Sequence, residues 1–222
     1  MKFNIAIDGP SAAGKSTIAD LLAERLGYNH LDTGAMYRAV AYKAMNSQIA
    51  LDDEEKIVEM IENMDLQMKI DGSVILDGND VSEAIRANEV SMGASDVSKL
   101  QGCREALVAM QQKICAEGGY ILDGRDIGTV VLKDAPVKIF MVASAEARAQ
   151  RRVLQNQEKG IEADYESILE DIRKRDYQDT HREHSPLRKA EDAVEVDTSD
   201  LSIEEVVQRV LEIIEEKTGD KK

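Results

Sequence analysis

The sequence predicts an α/β fold, a five-stranded parallel sheet with helices on both faces that carries one small antiparallel β insertion. Three observations lead there. Short apolar runs at Phe3–Ile7, Tyr28–Leu31, Tyr120–Asp123, Val137–Val142 and Ala193–Val196 have the texture of strands buried on both faces. The segments between them place apolar residues at helical spacing, so successive strands are joined by crossovers and run parallel. One block, about 65–98, breaks the alternation with period-two runs and Asp-Gly turns.

Phe3-Asn4-Ile5-Ala6-Ile7 is the first strand, and Asp8-Gly9-Pro10-Ser11-Ala12-Ala13-Gly14-Lys15-Ser16-Thr17 follows it. Ile18, Leu21, Leu22 and Leu26 then share one face of a helix that Gly27 closes. Strand, Gly-x-x-x-x-Gly-Lys-Ser and helix together form the context a phosphate-binding loop requires, which predicts a P-loop NTPase fold. Gly9, Pro10, Ser11, Ala12, Ala13 and Gly14 form a loop whose glycines let the backbone N–H groups, which all but Pro10 carry, turn inward as a nest, and Ser16 and Thr17 begin a helix whose N-terminus carries partial positive charge. Lys15 is placed to reach the β- and γ-phosphates, and Ser16 to ligate Mg²⁺. The expected ligand is a nucleoside triphosphate with its magnesium ion.

Tyr28-Asn29-His30-Leu31 forms the second strand and ends at Asp32-Thr33-Gly34, where Asp32 or Thr33 caps a helix through Met36, Val40 and Met45. From Asp52 to Met64 an acidic amphipathic helix buries Ile57, Met60, Ile61 and Met64. Leu66–Ile70, Val74–Leu76 and Asp80–Val81, separated by Asp71-Gly72 and Asp77-Gly78, predict an antiparallel meander. Short helices over 82–98 and a longer one over about 99–117 lead back to the sheet. Gly118-Gly119 and Ala135-Pro136 punctuate the next two strands, and charged helices follow over about 145–158 and 164–178. After the last strand Ser202 caps a helix through Val206, Val210 and Ile213, and residues 219–222 are expected to fray.

A chain of 222 residues, 43% hydrophobic and 32% charged, suits one soluble domain with a sizeable core. No uncharged apolar run approaches the ~20 residues of a membrane span, so no membrane association is expected. The chain enters a strand almost at once, leaving no room for a signal peptide. Cys103 and Cys115 lack metal-like spacing and are expected as reduced thiols on a helix, implying the cytoplasm and no structural metal. A formal charge of −15 argues against a nucleic-acid polymer as partner. Positive charge is local instead: seven of the thirteen arginines lie between Arg148 and Arg188, a candidate grip on a small polyanion.

Three clusters lie beyond strands or in that arginine-rich segment, where ligands of open α/β sheets bind. Asp32-Thr33-Gly34-Ala35-Met36-Tyr37-Arg38 offers a hydroxyl, a ring and an arginine. Asp123-Gly124-Arg125-Asp126-Ile127-Gly128 sets two acids and an arginine between glycines. In Arg175-Asp176-x-x-Asp179-x-x-Arg182 the spacing puts Arg175, Asp179 and Arg182 on one helix face. Each alone also reads as a cap or a surface ion pair; together they predict a second site for an anionic, polar small molecule.

Those segments, with Ile7–Ser16, Leu31–Arg38, Asp123–Val131, Ala135–Phe140, Arg148-Ala149-Gln150-Arg151-Arg152 and Arg175–Arg182, resemble bacterial cytidylate kinases over nearly the whole chain. The resemblance implies transfer of the γ-phosphoryl group of ATP to CMP or dCMP, with Mg²⁺, by a cytoplasmic monomer. It implies a core of about 1–32, 100–145 and 185–222, a monophosphate-binding region of about 33–99, and a lid of about 146–165. It places Thr33, Tyr37, Arg38, Ser95, Arg104, Arg125, Asp126, Arg175, Asp179 and Arg182 around the CMP. Arg148, Arg151 and Arg152 belong by the same likeness to the lid near ATP, and Lys15, Arg125, Arg152 and Arg175 are the catalytic cations. A regulatory GTPase would need an Asn-Lys-x-Asp run, which the chain lacks. A kinase of another small acceptor, such as a sugar acid, is not expected to combine the insertion with Asp123-Gly124-Arg125-Asp126. A non-catalytic nucleotide-binding module is separated by ADP release with CMP.

Overall fold

A computed structural model describes residues 2–158 and 160–219. Strand β1 (Ile5–Asp8) is buried along its length, and the loop after it leads into α1 (Lys15–Leu26), which ends at Gly27 in the left-handed region. Strand β2 (Asn29–Asp32) follows, then α2 (Thr33–Asn46), whose N-terminus Asp32 caps by accepting from the Ala35 N–H at 3.0 Å. Asp53 caps α3 (Glu54–Glu62) in the same way. The insertion is a meander of β3 (Leu66–Met68), β4 (Val74–Leu76) and β5 (Asn79–Asp80), with Asp77 and Gly78 both at positive φ in the second turn. Helices α4 (Asn88–Val97) and α5 (Gln101–Ile114) return the chain to β6 (Tyr120–Gly124) and β7 (Val137–Val142). Helices α6 (Ala145–Glu158) and α7 (Tyr165–His181), strand β8 (Val194–Asp197) and α8 (Ile203–Thr218) complete the fold. Ser202 and Glu205 form a reciprocal capping box on α8.

The five strands run parallel, as the apolar runs predict, and lie in the order β2-β6-β1-β7-β8; the meander forms its own three-stranded sheet. The central position of β1 follows from its composition: Ile5 and Ile7 face a core with α1 and α8, while Ala6 faces another with α2, α3 and α5. A third, small core of Ala149, Leu169 and Ile172 joins α6 to α7 alone. Asp8, Asp32 and Asp123 come level at the carboxyl ends of β1, β2 and β6, because Asp8 pairs with Gly124 and Asp32 with Asp123. Cys103 and Cys115 are buried free thiols, one within α5 and one just past its end.

Two expectations change. A wide, π-type helical turn over Ile127–Val131, with the Leu132 N–H on the Ile127 carbonyl, was not predicted; its first N–H groups are held by a partner 119 residues away. Helix α7 runs past the expected end at 178 to His181, and Arg182 closes it with its N–H on the Gln178 carbonyl and a helical φ of −64°, so its side chain still leaves from the face shared by Arg175 and Asp179 and only the chain beyond turns away. The Leu187 N–H donates to the Asp179 carbonyl at 2.7 Å, folding 183–187 back over the last turn and turning the chain out of the helix at Arg182. Gly219 closes α8 at positive φ, and the rest of the expected frayed end lies outside the described residues.

Candidate active site

The phosphate loop sits against β7 more closely than any side chain would allow. Gly9 has φ near 152°, and a Cβ there would lie 2.1 Å from the Met141 carbonyl oxygen. Gly14, at φ 90°, then starts α1 with the N–H groups of its first turn free for an anion. Lys15 is buried and donates to the Pro10 carbonyl at 2.7 Å, curling back over the loop. Burial, with the charge of Arg125 adding to it, lowers its ammonium to about 7. Asp8, under the loop, accepts from the N–H groups of Ile127 and Gly128 at 2.7 Å each. Burial raises its carboxyl to about 6 against those hydrogen bonds.

Ser16 donates its hydroxyl hydrogen to Asp123 Oδ2 at 2.9 Å. A hydroxyl and a carboxylate beside a phosphate loop are the hard oxygen donors a magnesium-sized ion takes, so Ser16 and Asp123 fit that ion. Asp123 was read in the sequence only as one acid of a cluster; its place on β6 beside β1 gives it this part. His30 lies between two carboxylates, its Nε2 2.8 Å from Asp123 Oδ1 and its Nδ1 2.6 Å from Asp20 Oδ1. Burial opposes charge on the ring, but the hydrogen bonds to Asp123 and Asp20 outweigh it and raise the imidazole to about 10.

Opposite the loop, α2, α5, β6 and α7 bring the expected acceptor residues together. Thr33 Oγ1 donates to the Asp123 carbonyl at 2.7 Å, which ties the start of α2 to β6. Arg38 pairs with Asp32 at 2.7 Å, and Arg125 Nε donates to Asp179 Oδ2 at 2.7 Å. The Arg104 guanidinium donates to Asp126 and to the Ser98 carbonyl, and lies 5.5 Å from the Tyr37 ring centroid. Arg182 donates to the Ser185 carbonyl at 2.8 Å and stands 3.8 Å from Asp126 Oδ1.

Arg38, Arg104, Arg175 and Arg182 each keep a buried nitrogen with no hydrogen-bond partner. Buried donors left bare are costly in a folded chain, so these await an acceptor. Their electrostatics divide them into two groups. Burial and then the charges of Arg125, Arg152 and Arg38 lower Arg175, and Arg125 also acts on Lys15, so this set lies toward the phosphate loop. Burial and then Arg104 lower Arg182, while Arg104, Asp126 and Arg182 all act on Tyr37. The first group is thus richer in cations than acids, with Arg38 paired to Asp32 and Arg125 to Asp179. The other carries an acid among arginines and a ring.

The rest of the expected residues are more scattered. Ser95 lies on α4 with its hydroxyl turned to the Ser91 carbonyl of its own helix. Arg148 is buried and fixed, in a bidentate pair with Asp176 at 2.9 and 2.6 Å, and donates to the Ser11 carbonyl of the phosphate loop. Arg151 donates to Thr198 after β8. Of the three, Arg152 is exposed, and its charge reaches Arg175.

The cytidylate kinase family model matches residues 5–216 of this chain. A cytidylate kinase of Caldicellulosiruptor saccharolyticus is 56% identical over 221 residues, covering 98% of both chains. That of Bacillus subtilis is 49% identical over 220 residues, again covering 98% of both. Among solved structures, shikimate kinase from Bacteroides thetaiotaomicron aligns with a TM-score of 0.50 at 13% identity, covering 96% of this chain and 98% of that one. That last likeness concerns the fold alone. A phosphate loop, two clusters of arginines with bare buried donors and a family match along nearly the whole length lead to one conclusion: the chain belongs to the cytidylate kinase family.

Proposed function

We infer that the protein transfers the γ-phosphoryl group of ATP to CMP or dCMP, releasing ADP and CDP or dCDP. Family membership over residues 5–216 carries this reading, and the buried, bare guanidinium donors of Arg38, Arg104, Arg175 and Arg182 support it. A turnover panel of CMP, dCMP, UMP and AMP with ATP and Mg²⁺ tests it. CMP and dCMP are expected to dominate, and equal turnover of AMP would overturn the reading.

Phosphoryl transfer between two nucleotides needs positioning and charge more than covalent chemistry. The acceptor phosphate oxygen is already an anionic nucleophile, so no general base is needed. Arg38, Arg125 and Arg175 grip that phosphate by paired N–H donation, with Asp32 and Asp179 fixing the first two. Lys15, freed from the Pro10 carbonyl, follows the γ-phosphoryl group, and Arg152 approaches it from α6. Ser16 and Asp123 would hold the divalent ion, taken as Mg²⁺, which would supply positive charge beside the β- and γ-phosphates of ATP. Tyr37, Ser95, Arg104, Asp126 and Arg182 receive the nucleoside end, with Thr33 supporting the wall. The core, the monophosphate-binding region of about 33–99 and the lid of about 146–165 divide these tasks. The protein acts as a monomer in the cytoplasm; no described helix is long and apolar enough to cross a membrane.

Lys15 sets a pH dependence. Without ligand its ammonium titrates near 7, and a bound triphosphate holds it protonated well above that. Nucleotide binding therefore takes up a proton above pH 7, and affinity falls as pH rises through that value. Calorimetry in two buffers of different ionisation enthalpy should give uptake approaching one proton at pH 8 and near zero at pH 6. Zero uptake at pH 8 contradicts the assignment, and Lys15→Met serves as the control without uptake.

The small core that α6 and α7 share apart from the sheet suits a lid that closes as a unit. Arg148, anchored on Ser11 and Asp176, and Arg151, bonded to Thr198, are its fixed end, and Arg152 rides beyond them. Backbone exchange over about 145–160 should slow several-fold with a bisubstrate analogue relative to the free protein. Equal rates in both states would rule out an ordering lid.

A further inference from the structure

Four side chains at the carboxyl ends of β2 and β6 form one hydrogen-bonded line: Asp20 on α1, His30 on β2, Asp123 on β6 and Ser16 at the start of α1. The links measure 2.6 Å from Asp20 to His30, 2.8 Å from His30 to Asp123 and 2.9 Å from Ser16 to Asp123. Both ring nitrogens face carboxylate oxygens, which only accept, so both carry hydrogen and the ring donates in both directions. Phosphate binding by the loop does not by itself require such a line.

We propose that His30 is a positioning residue for phosphoryl transfer: it occupies Asp123 Oδ1 and thereby holds Oδ2 toward Ser16 and the metal side of the phosphate loop. The inference rests on the kinase reading above. Its geometry follows from strand register. His30 lies opposite Ile121, so Asp123, two residues further along β6, is its diagonal neighbour on the same sheet face. The short imidazole spans that gap, and Asp20, one turn into α1, fixes its far nitrogen. Asp123 is buried, and both Lys15 and Arg125 feel its charge. A buried carboxylate that loses its donor turns to the nearest remaining cation. Without His30 it would compete for Lys15, needed on the γ-phosphoryl group, or for Arg125, now held by Asp179. The histidine keeps the acid out of that competition.

The test compares wild type with His30→Leu, which removes both donors at similar volume. Steady-state kinetics should show kcat lowered about 10–100-fold, the usual loss when a ligand's outer hydrogen-bond partner is removed, with the KM for CMP changed less than about twofold. ADP binding by calorimetry provides a reading independent of turnover. With metal chelated, the affinity for ADP should stay within about twofold of wild type, while the tightening that Mg²⁺ adds shrinks several-fold. A folded variant with wild-type kcat and wild-type Mg²⁺ dependence overturns the proposal. So does an equal loss of ADP affinity with and without Mg²⁺, which would mark a merely structural role. Should His30→Leu not fold, Asp20→Asn loosens the same line from its exposed end. A half-saturating Mg²⁺ concentration raised twofold or more supports the proposal, and an unchanged value overturns it. The wild-type substrate panel decides the kinase reading separately, so failure here with CMP turnover intact counts against His30 alone.

Discussion

Lys15→Met is expected to leave the protein folded and to lower kcat about 10²–10³-fold, the loss typical of one preorganised electrostatic contact. The methionine keeps the length and the apolar stem and removes only the charge. Stability should not suffer, because the site disfavours the ammonium: burial lowers it to about 7, and Arg125 presses in the same direction. Only the hydrogen bond to the Pro10 carbonyl is lost, worth about 1 kcal/mol. Turnover suffers because nothing else in the loop carries a full positive charge that can move with the γ-phosphoryl group. The KM for CMP should change little, since Arg38 and Arg175 face the acceptor from the other side. Thermal melting and kcat on the same preparation check both halves. Near-normal turnover in a folded variant would sink the assignment of the loop.

Asp126→Asn should lower kcat/KM for CMP about 10²–10³-fold and narrow the CMP-to-UMP preference. Cytosine offers an amino donor at position 4 with acceptors at N3 and O2, whereas uracil puts an oxygen where the amino group was. A carboxylate facing position 4 accepts from cytosine and meets a lone pair in uracil, and arginines on the N3/O2 side can only donate. Unmatched polar groups in a dry pocket discriminate strongly, on the order of 10³-fold or more. Asp126 has the company this requires, being buried and shared between Arg104 and Arg182. The asparagine amide can turn its N–H₂ toward the base, which suits uracil, but it no longer balances two guanidinium groups. The competing role is therefore to hold Arg104 and Arg182. Arg125, its neighbour in sequence, goes to Asp179 instead. If Asp126 only holds those arginines, the variant loses CMP and UMP activity in equal measure, and the unchanged ratio of kcat/KM refutes base reading.

Much of the fold is legible along the chain because its causes are local. Apolar runs bounded by Gly, Pro and Asp mark all five sheet strands, Asp77-Gly78 specifies its turn, and Ser202 with Glu205 specifies a helix start. The phosphate loop is legible for the same reason, since its glycines, lysine and serine act within eight residues of backbone. The turn over Ile127–Val131 was not, because its leading N–H groups are satisfied by Asp8 from another strand. The end of α7 was placed too early, at 178, because a contact from Leu187, beyond the helix, fixes where it closes.

The sequence by itself determined the layered α/β fold, the triphosphate loop and a likeness that the family match bears out. Which charge meets which was decided only by the tertiary structure. Asp126 finds Arg104 across 22 residues, Arg125 finds Asp179 across 54, and His30 finds Asp123 across 93. Arg148 likewise became a fixed brace on Asp176 and Ser11, although its sequence segment looks like a uniformly charged helix. Propensity and periodicity act over a few residues, so they report strands, caps and turns. Ion-pair partners are chosen by strand order and burial, since a buried charge takes the donor or acceptor that folding brings within reach.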